Sequence, residues 1–183
     1  MKTAIISYSL TGNNEAIATR IAKEMKVEHI RVTERKKRTN GTIAIDLLLG
    51  RIPFTQPGEQ VLSSYDLIIF VAPIWMGQPA FPLRSYLGFL KKHPIKYAYV
   101  SISGGAMNDN PGLEEKLLKR TGMEPCVLVD HNIIDLLPTE PKPTTHDTSK
   151  YRLTEEDIER LAEHTVDLLK EKLSKEVVCQ SQK

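Results

Sequence analysis

Residues 3–14 read TAIISYSLTGNN, and this stretch decides the fold class. Residues 3–8 form a short apolar run with two isoleucines, which predicts a buried strand. Residues 9–14 carry hydroxyl and amide side chains with one glycine, and they open into a helical pattern over residues 15–25. A strand, a short polar loop and a helix begin a crossover unit, so the segment predicts a parallel sheet.

The rest of the chain repeats this alternation of strand-like and helix-like segments. Residues 67–72 are continuously apolar, which predicts a central strand covered on both faces. Three shorter strands are predicted over residues 28–32, 97–102 and 126–129. We therefore predict a three-layer, doubly wound α/β fold with a five-stranded parallel sheet in a single domain, residues 1–175, followed by a tail, residues 176–183.

Capping residues and turn formers mark some of the predicted boundaries. Asn110 and Pro111 are predicted to cap and open a helix that ends at Gly122. Thr154 begins a pattern close to a capping box at the start of the last helix. Residues 137–150 are rich in proline and threonine and predict a surface loop. Residues 33–64 fit the alternation poorly, although they contain an apolar helix candidate.

Composition and charge narrow the class of protein. The 183 residues include 25 Lys and Arg against 23 Asp and Glu, a net charge of +2. This balance argues against a strongly basic nucleic-acid-binding protein. No apolar run approaches the ~20 residues that span a bilayer, so we expect no membrane insertion. No signal peptide is evident, and the separated Cys126 and Cys179 are expected to be reduced thiols in a cytoplasmic protein.

The loop after the first strand is the first candidate binding segment. Such a loop offers backbone N–H groups and the positive end of a helix dipole to an anion. Its hydroxyl groups add donors, and it contains no Lys or Arg, which suits a phosphate monoester. The predicted binding residues are Ser9, Leu10, Thr11, Gly12, Asn13 and Asn14.

Other phosphate-binding motifs do not match this loop. A Walker motif is absent, and the dinucleotide fingerprint needs three glycines where this loop has one. The alternative is an ordinary turn between strand and helix with an asparagine cap.

Two further loops are predicted to lie at the same edge of the sheet. One contains the only tryptophan of the chain, which can stack on a flat heterocycle or pack onto the domain. The other contains tandem glycines, which allow the backbone to approach a planar ligand or form a flexible turn. The predicted binding residues are Pro73, Ile74, Trp75, Met76 and Gly77 in the first of these loops, and Ser103, Gly104 and Gly105 in the second.

The motif formed by Ser9, Thr11, Gly12 and Asn13 resembles the phosphate loop of the flavodoxin family, [ST]-x-T-G-N-T. The loops at Trp75 and at Ser103–Gly105 resemble the two loops that hold the flavin ring in that family. The resemblance covers residues 1–175 and implies the strand order 2-1-3-4-5, non-covalently bound FMN and electron transfer through the flavin.

This sequence departs from the family pattern at several points. Asn14 replaces the usual threonine, and Gly77 follows Met76 rather than Trp75. Carrier flavodoxins are strongly acidic, whereas this chain is nearly neutral, so it offers no charge excess for docking.

Two roles therefore stay open. The protein is either an electron carrier between redox partner proteins or an FMN-dependent NAD(P)H or quinone oxidoreductase. A menaquinone-linked protoporphyrinogen oxidase is a subordinate form of the second role.

The remaining charged and titratable residues give weaker indications. The run Arg35-Lys36-Lys37-Arg38 is expected to be a solvated loop, with an acidic partner, the 2′-phosphate of NADPH or nucleic acid as alternatives. The five histidines show no spacing typical of metal ligands, and Cys126 is expected to be chemically inert. We therefore predict no metal site and no catalytic acid or base.

Overall fold

The computed structural model describes residues 1–35, 40–104 and 110–180, without the side chains of residues 40, 44, 47, 48 and 176–180. Within these ranges, five parallel strands form the central sheet: β1 Thr3–Ser7, β2 Glu28–Arg31, β3 Leu67–Val71, β4 Lys96–Ser103 and β5 Val127–Asn132. Their spatial order is 2-1-3-4-5, which confirms the predicted topology. The order reverses between β1 and β3, so the switch point lies at the carboxyl ends of these two strands.

The described helices are α1 Asn13–Met25, α2 Asn40–Leu49, α3 Arg84–Lys92, α4 Leu113–Thr121, α5 Thr145–Lys150 and α6 Glu155–Gln180. Short 3₁₀ turns cover Glu59–Ser64, Phe81–Leu83 and Ile133–Leu136. The predicted domain boundary after residue 175 falls inside α6 and stays a prediction. None of the helices in the described ranges is both long and apolar enough to cross a membrane.

Two apolar layers separate the sheet from the helices on its two faces. Successive side chains of a strand point to opposite faces, so Ile5 packs with Ile17 of α1 while Ile6 packs with Leu87 of α3. All four side chains are fully buried, and burying each stabilises the fold by roughly 1.5–3 kcal/mol. The α1 and α6 pair covers one face and the α3 and α4 pair covers the other, which confirms the three-layer architecture.

The start of α4 differs from the prediction. The helix begins at Leu113, because Gly112 takes the N-cap position with φ 74° and the Asn110 amide is used elsewhere. That amide donates to the Asp130 carboxylate at 2.7 Å and to the Ser103 hydroxyl at 3.3 Å. The predicted end at Gly122 is correct, since this glycine is the C-cap with φ 79°.

Residues 137–150 are not the simple surface loop that their composition predicts. Their last six residues form α5, which Thr144 and Asp147 begin with a capping box. Thr148 of this helix is buried and donates a hydrogen bond to the Gly104 carbonyl. The segment therefore folds back onto the carboxyl end of β4, where one of the predicted binding loops begins.

Residues 33–64 form an insertion beside the sheet. Thr33–Glu34 and Thr55–Gln56 pair as a short antiparallel ribbon. The apolar helix α2 lies between these two strands in the sequence. Glu34 accepts a hydrogen bond from the Tyr8 hydroxyl at 2.9 Å, so the ribbon is tied to the end of β1. Lys36–Arg38 of the basic run lie outside the described residues.

Candidate functional site

The loop after β1 has a backbone shape that only glycine adopts without strain. Gly12 is the N-cap of α1 with φ 98°, and no side chain caps the helix. The asparagine cap of the alternative interpretation is therefore wrong, whereas its turn between strand and helix is present. The Ser9 hydroxyl oxygen accepts a hydrogen bond from the Gly12 N–H at 3.0 Å and closes the turn.

The first N–H groups of α1 are available to a ligand. The backbone N–H groups of Asn13, Asn14 and Glu15 meet no acceptor within the described part of the chain, as expected for the first turn of an uncapped helix. The Thr11 hydroxyl is likewise without a partner among these residues. Glu15 forms an ion pair with Arg31 at 3.1 Å, which offsets its negative charge beside the loop. This arrangement can hold a phosphate with neutral dipoles.

The side chains of both asparagines in the loop are committed to the protein. The Asn14 amide donates to the Ile102 carbonyl and its oxygen accepts from the Ile102 N–H, both at 2.9 Å. The Asn13 amide donates to the Tyr151 carbonyl at 3.0 Å, and its oxygen accepts from the Leu153 N–H at 3.2 Å. Both side chains are buried. They fix the loop to distant segments, so only their backbone N–H groups can serve a ligand there.

These contacts bring the three predicted loops together. The Tyr8 ring, directly before the first loop, lies 5.7 Å from the Trp75 ring of the second loop. The bond pair between Asn14 and Ile102 joins the first loop to the end of β4, where the third loop begins. The edge formed by these loops is the switch point between β1 and β3, where ligands bind in open α/β sheets.

The second loop is a tight hairpin. Ile74–Trp75 pairs with Gln78–Pro79, and the turn residues Met76 and Gly77 have φ values of 52° and 68°. Positive φ at both central residues is the geometry of a type I′ turn.

The remaining residues of this hairpin differ in exposure. Pro73 and Ile74 are buried at its base, while the Met76 side chain is 67% exposed at its tip. The Lys116 ammonium group of α4 donates to the Gly77 carbonyl at 2.8 Å and holds the tip. Leu10, in the first loop, is 39% exposed at the same edge of the sheet.

Trp75 is half-buried and directly precedes the turn of the hairpin. Its ring meets Tyr8 at 5.7 Å and Phe81 at 5.6 Å, with interplanar angles of 87° and 86°. Neither of these neighbours stacks face to face on the indole. The tryptophan therefore packs partly onto the domain, which agrees with one of the two sequence interpretations. It also lies at the ligand edge of the sheet, which stacking on a flat heterocycle would need.

The third loop is anchored at both ends by one carboxylate. Asp130, on the neighbouring strand β5, accepts hydrogen bonds from the hydroxyl groups of Ser101 and Ser103 and from the Asn110 amide. The Ser103 hydroxyl is therefore hydrogen-bonded within the protein in this structure.

Gly104 approaches another part of the protein closely. A Cβ atom there would lie 3.4 Å from the Thr148 carbonyl oxygen, at van der Waals contact, so α5 packs closely against this backbone. Gly105, the third predicted residue of this loop, lies outside the described residues.

Sequence reasoning missed Asp130, Asn110 and Thr148 as residues that shape this edge. Asp130 follows the apolar residues 127–129 near the carboxyl end of a strand, and this position could have marked it. The partners of Thr148 carry no sequence pattern. Among the described residues, no three His, Cys, Asp or Glu side chains gather closely enough to hold a metal ion. Burial raises the pKa of the Cys126 thiol, which keeps it protonated.

No family model and no curated protein matches the sequence at a significant level. Solved structures do match. A flavoprotein from Lactobacillus acidophilus NCFM, solved in complex with FMN, has a TM-score of 0.60 and 25% identity, covering 70% of this chain and 92% of that chain. The flavodoxin of Streptococcus pneumoniae TIGR4 has a TM-score of 0.53 and 15% identity, covering 93% and 99%. A flavodoxin from the domain Archaea has a TM-score of 0.50 and 14% identity, covering 94% and 99%.

These comparisons agree with the observed strand order. The chain has a flavodoxin-like fold, and the resemblance inferred from the motif at residues 9–13 is confirmed at that level.

Proposed function

We propose that the protein binds FMN without a covalent bond and transfers electrons through it. The observation that carries the proposal is the first loop, where a left-handed Gly12 opens α1 and the N–H groups of residues 13–15 meet no acceptor in the described part of the chain. Bound FMN would supply reversible electron transfer, while the protein supplies binding and orientation.

The residues at the sheet edge fit the parts of FMN. The loop at residues 9–14 suits the phosphate, because its dipoles converge on an anion and the Glu15 carboxylate is paired with Arg31. Trp75 and the start of the third loop, Ser103–Gly104, are proposed to flank the ring. The FMN complex of the Lactobacillus flavoprotein, at 25% identity, supports FMN as the ligand.

Titration of the apoprotein with FMN and with riboflavin tests the proposal. Each charge-assisted hydrogen bond to the phosphate contributes ~1.5–3 kcal/mol. We expect riboflavin, which lacks the phosphate, to bind on the order of a hundredfold more weakly, the loss of about two such bonds. Equal affinities for the two compounds would remove residues 9–14 from the site.

Trp75 gives a second test, because it is the only tryptophan and all changes in its emission have one source. If the flavin lies beside it, FMN binding should strongly quench its fluorescence. Trp75→Ala should weaken FMN binding by ~1–3 kcal/mol, the range for aromatic side chains stacked on flat bases. Unchanged emission and unchanged affinity together would show that the hairpin is not part of the flavin site.

The alternative role is an FMN-dependent NAD(P)H or quinone oxidoreductase. The near-neutral charge of +2 favours it, because a carrier gains fast docking from an excess of one sign. Steady-state turnover of NADH or NADPH by the FMN-loaded protein, with a quinone as acceptor, separates the roles. Sustained turnover supports the enzyme, and flavin that is reduced only by a partner protein supports the carrier.

A further inference from the structure

A cleft lies beside the Trp75 hairpin, and no residue of the loop at residues 9–14 lines it. Its volume is about 800 Å³, which is within the size range of small-molecule sites. Gly50 and Ile52, after α2, line one wall, and α4 lines the other. Arg84 and Gly88 of α3 and Gln78 of the hairpin complete the lining between these walls.

Three cations of α4 line this cleft. Lys116, Lys119 and Arg120 are spaced by three and four residues, so they share one face of the helix. None of the three pairs with a carboxylate in the described ranges, and Glu115 is the only acidic residue among the cleft's described lining residues. Basic residues in the last turn complement a helix dipole, but this does not explain why Lys116 joins them at the cleft.

Arg120 is the most informative of the three. Its guanidinium group is half-buried, and this burial lowers its pKa. Its one described side-chain partner is the neutral Gln78 amide oxygen at 3.4 Å. A cation taken partly out of water normally gains an anionic partner, and guanidinium groups favour phosphate and carboxylate oxygens.

Hydrogen bonds from Arg84 and the absence of a side chain at Gly88 keep the cleft open. Arg84 of α3 donates to the carbonyl oxygens of Asp46 and Arg51 at 3.2 and 2.7 Å, which fixes the end of α2 across the cleft. Gly88 lies inside α3, where glycine is unfavourable. A Cβ atom there would meet nothing within 4 Å, so its absence keeps the floor free rather than relieving a clash.

We propose that this cleft binds a phosphate-bearing small molecule, whose phosphoryl oxygens contact Lys116, Lys119 and Arg120. The site is distinct from the loop at residues 9–14, with which it shares no residue. It lies next to the Trp75 hairpin, since Lys116 also donates to the Gly77 carbonyl.

Calorimetric titration with inorganic pyrophosphate tests the cleft. Binding should weaken by about tenfold or more in Lys119→Gln and in Arg120→Gln, the loss of one charge-assisted bond each. Lys170→Gln, which removes an exposed charge from α6, is the matched control and should leave the affinity unchanged. The titration is repeated in Gly12→Val, so that the loop at residues 9–14 does not contribute.

Two further measurements distinguish the effect of the cleft's shape from that of its charge and identify the kind of compound that carries the phosphate. Gly88→Leu should fill the cleft and weaken binding without changing any charge, whereas Gly88→Ala should retain it. Tighter binding of NADPH than of pyrophosphate supports a nucleotide as the ligand, and equal binding supports a simple phosphate compound. Absence of binding by both probes, or equal loss in Lys170→Gln, would overturn the proposal, whatever the outcome of the FMN titrations.

Discussion

Gly12→Val is expected to abolish FMN binding while the apoprotein stays folded. Gly12 has φ 98°, a left-handed conformation that costs an L-residue roughly 1–2 kcal/mol and a β-branched one more. A Cβ atom at this position would meet no atom within 4 Å apart from its chain neighbours, so the strain arises from the backbone conformation. If the loop relaxes to relieve the strain, the N–H groups of α1 turn away from a common point.

When these N–H groups no longer point at the phosphate, the affinity for FMN should fall strongly. Two charge-assisted bonds at ~1.5–3 kcal/mol each correspond to on the order of a hundredfold or more in the FMN dissociation constant. The cost in stability is much smaller than the 5–15 kcal/mol that is typical of a domain. FMN titration followed by flavin fluorescence measures the first quantity, and urea unfolding of the apoprotein measures the second.

Gly50→Val is the matched control for backbone strain. Gly50 also has a positive φ, 62°, and a Cβ atom there also meets nothing within 4 Å. This variant should lose a similar amount of stability and keep its affinity for FMN. If Gly12→Val keeps tight FMN binding, or if Gly50→Val loses it equally, the loop at residues 9–14 is not the phosphate site.

The sequence contains enough information to predict the strands of the sheet, while their order is implied by the resemblance of residues 9–13 to the flavodoxin phosphate loop. Local patterns predict these elements: the apolar run at residues 67–72 becomes β3, and Leu161, Ala162, Val166 and Leu169, which recur at helical spacing, form the buried face of α6. The Thr154 capping box is confirmed, since Thr154 and Asp157 exchange hydrogen bonds at 2.8–3.1 Å. All of these features depend on residues that are near one another in the chain.

The details of the site depend on contacts between distant residues, which no local pattern encodes. The start of α4 was placed too early because the Asn110 amide binds Asp130, twenty residues away, instead of capping the helix. The helix α5 carries a local signal in its Thr144 and Asp147 capping box, but its docking involves a hydrogen bond from Thr148 to Gly104, 44 residues away. A proline-rich composition describes neither contact.

Asn14 shows the same limitation within the motif itself. Its position in the family pattern suggests a phosphate donor, with an amide in place of a threonine hydroxyl. In the structure its side chain instead makes two hydrogen bonds to Ile102, 88 residues away. The substitution therefore moves this side chain from the ligand to the protein.

Asn14→Ala is accordingly expected to lower stability strongly while leaving phosphate recognition in place. The side chain is 2% exposed, and its removal leaves the N–H and carbonyl groups of Ile102 buried without these partners. Each unsatisfied group costs ~1–3 kcal/mol, so the free energy of unfolding should fall by about 2–6 kcal/mol. Urea denaturation of the apoprotein measures this loss.

Asn14→Thr restores the residue of the family motif and sharpens the test. A threonine side chain is shorter and carries one hydroxyl in place of the two amide atoms, so it should reach Ile102 less well, and this variant should also be destabilised. The ratio of FMN to riboflavin affinity should stay within about threefold of the wild-type ratio in both variants, because the Asn14 N–H is retained. A collapse of that ratio in Asn14→Ala with unchanged stability would contradict the structure, because it would make the amide a ligand of the phosphate rather than a clamp on β4.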